Sequence, residues 1–103
     1  MTKHLFIGGL FAAGFDSTGS YLLVVSHSGR GVFSTTSWER IARDSSLAYP
    51  EKGFVVGIGP LAGVSIPVTE LDFGTGQLRF LNPDGKLQFE YDSGTVTISD
   101  AAC

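Results

Sequence analysis

His27 has the clearest capacity for proton transfer of any side chain here, because it stands between Ser26 and Ser28 in a segment that reads as a loop. A catalytic serine–histidine pair would also need a carboxylate to orient the imidazole, and Asp16 or Asp44 would have to supply it. The surrounding sequence carries neither an activated nucleophile nor a metal signature. We therefore predict a domain without enzymatic activity, in which His27 belongs to a turn or faces solvent.

Two glycine-containing motifs match the residue types of cofactor-binding or catalytic signatures but lack the flanking elements that those signatures need. Residues 57–63 spell GIGPLAG after a predicted strand, as in a dinucleotide-binding loop. That loop needs a following helix whose N-terminus holds the pyrophosphate, and VSIPVT at residues 64–69 is a poor helix. Residues 72–74 spell the magnesium motif DFG of kinases, but the other kinase motifs are missing. The sequence predicts no cofactor.

The residues that could bind a metal are dispersed along the chain. His4, His27 and the single cysteine, Cys103, do not have the spacing of a zinc site. The ten acidic residues are also spread out, as is usual for solvated strand and turn positions. One cysteine cannot form an internal disulfide, so we predict neither a metal site nor a disulfide framework.

Composition bears on the partners of the protein. The formal net charge is −3 and the seven lysines and arginines are scattered, whereas nucleic-acid binding needs clustered positive charge. No apolar run reaches the roughly 18 residues of a membrane-spanning helix. We predict one domain over residues 1–103, with neither nucleic acid nor membrane as partner. Hydrophobic residues make up 43% of it, which either fills a β core or forms an interface with another protein or a second copy in a homodimer.

The N-terminal segment supports two interpretations. Lys3 and His4 precede an apolar run over residues 5–15, a pattern that resembles a short secretory signal. The glycines in this run equally fit turns between strands. We favour the interpretation as turns and strands, and the expected location is the cytoplasm.

Turn signals about every ten residues predict a mainly β domain. We expect small antiparallel meander sheets that form a sandwich or open barrel, with at most one short helix near residues 36–48. The run YLLVVS at residues 21–26 is apolar on both faces and is predicted to be a central strand. The other predicted strands are 11–15, 31–34, 54–58, 64–71, 77–81, 86–91 and 95–99. The predicted core consists of Leu22, Val24, Phe33, Leu78, Phe80, Phe89 and Ile98.

The segment from Thr36 to Tyr49 is ambiguous. Thr36 and Glu39 would make a capping box for a helix, whereas Trp38, Arg40 and Ala42 alternate with their neighbours as in a strand. We favour a strand that runs into an irregular loop.

An internal echo relates residues 16–33 to residues 72–89. Both segments begin with aspartate and a turn and continue through a strand, a glycine followed by a basic residue, and a second strand. The echo indicates either a duplicated β-meander or two hairpins that share turn chemistry.

Residues 15–26, followed by GRGVF at 29–33 and WERIA at 38–42, resemble one blade of a β-propeller. The resemblance implies a β-meander of about four strands. A propeller needs at least four blades, and this chain has room for about one and a half, so a free-standing meander domain is implied.

As a whole, the chain resembles the small, acidic immunity proteins with which bacteria neutralise polymorphic toxins. This resemblance is of type rather than of motif. It implies a rigid, non-catalytic scaffold that binds a toxin domain and blocks its active site.

The predicted partner-binding surface is the segment from Trp38 to Glu51, with the loop around His27 beside it. Tryptophan, tyrosine and arginine dominate binding hot spots, and the acidic residues of this segment would steer a basic partner. Trp38 could equally close the core. The predicted site residues are His27, Arg30, Trp38, Glu39, Arg43, Asp44, Tyr49 and Glu51.

The leading hypothesis from the sequence is a non-enzymatic protein-binding domain, namely an immunity protein that neutralises a cognate bacterial toxin. The alternative is a small-molecule-binding β-barrel or sandwich that could form dimers.

Overall fold

The computed structural model describes residues 2–27, 29–44, 54–56, 64–66, 68–92 and 94–100. Over these ranges the chain forms eleven β-strands and no helix. The strands are β1 Thr2–Phe6, β2 Leu10–Phe15, β3 Tyr21–Ser26, β4 Gly29–Ser34, β5 Arg40–Asp44, β6 Phe54–Val56, β7 Val64–Ile66, β8 Thr69–Glu70, β9 Gln77–Leu81, β10 Leu87–Asp92 and β11 Thr95–Asp100.

The strands form two larger antiparallel sheets and one two-stranded pair. The five-stranded sheet has the order β5-β4-β3-β2-β8, in which β2 to β5 follow one another as a meander. The four-stranded sheet has the order β1-β11-β10-β9, and β6 pairs with β7. The first strand therefore completes the sheet that the last three strands begin, with Thr2 opposite Ser99 and Phe6 opposite Thr95.

The two larger sheets pack face to face around one apolar core. Phe15 of the five-stranded sheet meets Phe80 of the four-stranded sheet edge-on, with ring centroids 5.7 Å apart. Phe80 in turn stacks on Phe89 at 4.7 Å. This arrangement is a small sandwich rather than a closed barrel. The buried residues of the core are Leu10, Ala13, Phe15, Leu22, Val24, Phe33, Leu78, Phe89, Tyr91, Val96 and Ile98.

Strand β3 is buried on both faces, as its unbroken apolar sequence predicted. Leu22 and Val24 point into the core between the sheets. Leu23 and Val25 point the other way and form a second buried cluster with Ala12 and Val32. A strand in the middle of a covered sheet has no wet face, so it carries no alternating polar residues.

Two tight turns use the same hydrogen bonds. The Asp16 N–H donates to the carbonyl of Tyr21, and the Asn82 N–H donates to that of Leu87, both at 3.0 Å. The Asp16 and Asn82 side-chain oxygens accept the N–H groups of Tyr21 and Leu87, again at 3.0 Å. In each turn the third residue after the first is a glycine with positive φ, which glycine adopts without steric penalty.

The mainly antiparallel β prediction is confirmed, as are the central strand over 21–26 and the meander from 77 to 99. Six of the seven predicted core residues are buried, and Phe80 is half-buried against them. The turns predicted at 16–19 and 72–76 are also present.

Other predicted boundaries were wrong. Gly29 and Arg30 do not belong to a hairpin loop, because they pair with Ser26 and Val25 as the start of β4. The strand favoured in the ambiguous segment is confirmed, because a turn at 35–37 leads into strand β5 and no helix forms over the described residues 36–44. Residues 45–48 lie outside the described residues. The strand predicted over 64–71 is two separate strands, β7 and β8. Strand β1 was not predicted.

Candidate functional site

An open cleft of about 190 Å³ lies between strand β5 and the segment that follows β1. Arg40 and Arg43 of β5 line one side, and Phe6 lines the other. The floor includes Gly29 and Gly31 of β4, and the Arg40 side chain lies over Gly31. The cleft is therefore a depression in which two cationic side chains face an aromatic ring.

A β-bulge places both arginines on the same side of β5. Arg40 and Arg43 are three positions apart, so regular alternation would direct them to opposite faces. The register between β4 and β5 shifts, however, so that Arg43 lies opposite Gly31 while Arg40 lies opposite Phe33. Positions 31 and 33 share a face of β4, and the two arginines therefore share that face of β5. Bulges often redirect a side chain in this way beside functional sites.

Gly31 makes room for the Arg40 side chain. A Cβ atom at position 31 would lie 3.3 Å from Cδ of Arg40 and 3.6 Å from Cγ2 of Val24. The aliphatic part of Arg40 thus rests directly over the backbone of β4. Its guanidinium end projects beyond this contact, because arginine packs its methylene groups while keeping its charge accessible.

Phe6 is the most exposed large hydrophobic residue among those described, at 84%. Its position is fixed by strand pairing, since Phe6 lies opposite Thr95 in the four-stranded sheet. The next residue, Ile7, donates its N–H to the carbonyl of Gly94 at 3.0 Å. The aromatic wall of the cleft is therefore held on a paired strand end rather than on a free terminus.

The described side chains that line the cleft carry positive charge, although the full sequence has a formal net charge of −3. Arg30 also contributes to its lining, between Gly29 and Gly31. None of the described residues that line the cleft is acidic. Local charge opposite to the overall charge focuses an attractive field for anionic groups at this point of the surface.

Of the predicted site residues that the structure describes, Arg43 and Arg30 line this cleft. Arg30 lies in β4 opposite Val25 and Asp44, and alternation turns its side chain to the face of the sheet opposite Arg43. It is 9% exposed, so its contribution to a binding surface is small.

His27 lies at the turn between β3 and β4 and is exposed. The His27 ring contacts the ring of Phe11 edge-on, with centroids 4.3 Å apart. The backbone N–H of His27 donates to the carbonyl of Gly9. A side chain at Gly9 would collide with the imidazole. Within the described part of the chain, no carboxylate hydrogen bonds to this ring, and Asp16 instead accepts bonds from its own turn.

Trp38 is half-buried and packs against the core between the sheets. Trp38 has a positive φ of 59°, and its backbone N–H donates to the carbonyl of Ser34 at 2.8 Å. Glu39 is exposed and closes the same loop, because its carbonyl accepts the Ser34 N–H. Trp38 therefore helps to close the core, which the sequence analysis gave as the alternative to partner binding.

The remaining predicted site residues are only partly described. Asp44 ends strand β5, opposite Arg30. Tyr49 and Glu51 lie outside the described residues. The partner-binding role assigned to these three positions stays a prediction.

Sequence reasoning missed Arg40 and Phe6 as site residues. Alternation along β5 set Arg40 and Arg43 on opposite faces, and only the bulge brings them together. Phe6 belonged to a segment that was interpreted as a short secretory signal or as turns between strands. The sequence pattern that could have indicated the cleft is the pair Gly29 and Gly31, because alternate glycines within a strand indicate a close approach by a neighbouring group.

No family model, curated protein or solved structure matches this chain. Among the described residues, no helix has the length and apolar character needed to cross a membrane.

Proposed function

We propose that this chain is a non-enzymatic protein-binding domain whose partner docks on the cleft beside β5. The observation that supports this most directly is the placement of two exposed arginines next to the exposed ring of Phe6. Arginine and aromatic side chains carry much of the binding energy at protein interfaces. The partner would present acidic groups to Arg40 and Arg43 and an apolar group to Phe6.

This proposal reverses the charge expected of the partner. The acidic residues between Glu39 and Glu51 predicted a basic partner, whereas the cleft favours an acidic one. Interfaces are arranged so that opposite potentials face each other, which raises association rates and rejects partners of like charge.

The narrower form of the proposal is that the partner is a toxin domain, neutralised in the cytoplasm of a bacterium. It depends on the resemblance of the chain to immunity proteins, and the cleft supports only the broader binding role. A rigid sandwich with the site at its surface suits inhibition by steric blocking, which requires no chemistry from the inhibitor.

The alternative, small-molecule binding, has less support from the geometry. The interior between the sheets is filled by the core side chains. A small ligand would therefore use a surface depression, and neither the 190 Å³ of the cleft nor the 250 Å³ of the depression beside Phe15 and Leu81 reaches the roughly 300–1,000 Å³ of typical ligand pockets. The cleft is the size of one or two functional groups of a larger partner.

Growth rescue tests the proposal. Each gene that flanks the gene of this chain is expressed in a heterologous bacterium, alone and together with this chain. The narrow proposal predicts that one product stops growth, that this chain restores it, and that the double variant Arg40→Glu and Arg43→Glu does not. Full rescue by the folded double variant would mean that the partner does not use the cleft.

A further inference from the structure

The spacing of the two arginines defines what they can recognise together. Arg43 and Arg40 lie opposite Gly31 and Phe33, which are two residues apart on β4. Two residues of an extended strand span about 7 Å, so the Cα atoms of the two arginines stand roughly that far apart along β5. In an extended peptide, side chains two residues apart share one face and have the same spacing of about 7 Å.

We infer that the cleft binds an extended acidic segment in which two carboxylates flank one residue, each carboxylate paired with one arginine. This inference rests on the proposed protein-binding function and specifies the chemistry of the partner. Arginine and carboxylate form paired, parallel hydrogen bonds, which add directional specificity to the attraction of charges. Phe6, on the opposite wall, contacts an apolar side chain next to the acidic pair.

The charge distribution favours a peptide over a nucleic acid. Ten acidic residues outnumber seven basic ones over the whole chain, so a polyphosphate longer than the cleft meets overall repulsion. A short acidic segment needs positive charge only at the cleft.

The inference is tested with labelled peptides and the intact protein. Three threonine-rich peptides are compared by fluorescence anisotropy: one has two glutamates that flank a threonine, the second has the glutamates adjacent, and the third has glutamines in their place. The variants are Arg40→Gln, Arg43→Gln and both together. The matched control is Arg79→Gln, because Arg79 is also an exposed strand arginine but pairs with Glu90 at 3.1 Å in the other sheet.

We expect the flanked-glutamate peptide to bind, each single cleft variant to weaken it about tenfold or more, and the Arg79 variant to leave it unchanged. We also expect at least about tenfold weaker binding of the peptide with adjacent glutamates and weaker binding as salt rises. Equal affinity for the two glutamate peptides would overturn the inferred spacing. Unchanged affinity in the double variant would overturn the site, and tighter binding of inorganic phosphate would assign the cleft to another anion.

The two proposals fail in distinguishable ways. If no acidic peptide binds but growth rescue still depends on Arg40 and Arg43, the cleft binds a partner of different chemistry and only this inference is wrong. If peptides bind but no flanking product is toxic, the toxin-neutralising role is wrong and the peptide site stands. Matching thermal melting curves for all variants show that each outcome concerns binding rather than folding.

Discussion

Arg40 extends across β4 because residue 31 is a glycine, which leaves room for the Arg40 methylene groups. A Cβ atom added at Gly31 would lie 3.3–3.7 Å from side-chain atoms of Arg40, Val24 and Phe33. Valine at this position would occupy the floor and push the Arg40 methylenes outward. We expect Gly31→Val to lower affinity for the flanked-glutamate peptide about tenfold, with Gly31→Ala in between.

The Gly31 series needs a stability control, because strands favour valine over glycine. Thermal unfolding of both variants should show no loss of stability comparable to the loss of binding. If Gly31→Val binds the peptide with wild-type affinity, Arg40 does not need its observed position over β4.

Phe89 shows the opposite case, a residue whose importance is packing alone. Its side chain is fully buried and stacks on Phe80 at 4.7 Å between the two sheets. Phe89→Ala should lower the free energy of unfolding by roughly 3–5 kcal/mol, as large-to-small substitutions of core phenylalanines do. Urea unfolding measures this loss, and a value below about 1 kcal/mol would contradict the core position.

Elements that follow their own local pattern could be predicted, and those fixed by neighbours could not. Strand β3 and the strands from 77 to 99 are bounded by turn residues and have regular apolar patterns. Strand β1 has little pattern of its own and exists because β11 offers it an edge. The β5 bulge is likewise set by pairing with β4. The alternation of residues along β5 therefore could not predict that Arg40 and Arg43 share a face.

The turns that join these elements can be tested by exchange. Asp16 and Asn82 begin turns with the same backbone bonds, and each side chain accepts the N–H of the residue five positions later. Asp16→Asn should therefore be nearly neutral. Asp16→Ala should cost about 1–3 kcal/mol, because it leaves the Tyr21 N–H without its acceptor.

Denaturant unfolding of the two Asp16 variants measures this difference directly. Equal destabilisation by asparagine and alanine would mean that the carboxylate charge, rather than the accepting oxygen, holds the turn. The Thr18 hydroxyl also donates to Asp16 at 2.7 Å, so Thr18→Val serves as the control for this second contact.

At the scale of the molecule, the pairing of β1 with β11 brings together strands that are far apart in the sequence. A disulfide can test this pairing, since Thr2 lies opposite Ser99. In a Cys103→Ser background, Thr2→Cys with Ser99→Cys should form a bridge under oxidation and raise the melting temperature. A bridge that closes a loop of about 100 residues stabilises by up to roughly 4–5 kcal/mol. Equal melting temperatures with and without reductant would contradict the pairing.

The β1–β11 pairing also orders events during protein synthesis. His4 hydrogen bonds to Thr97, 93 residues later, so β1 leaves the ribosome long before its partner strand exists. Until then the Phe6 side of the cleft cannot form, although β2 to β5 can already pair with one another in the order in which they are made. Contacts between such distant residues form slowly, because a long loop must close first. The nascent chain therefore carries both arginines before pairing with β11 fixes the Phe6 wall opposite them.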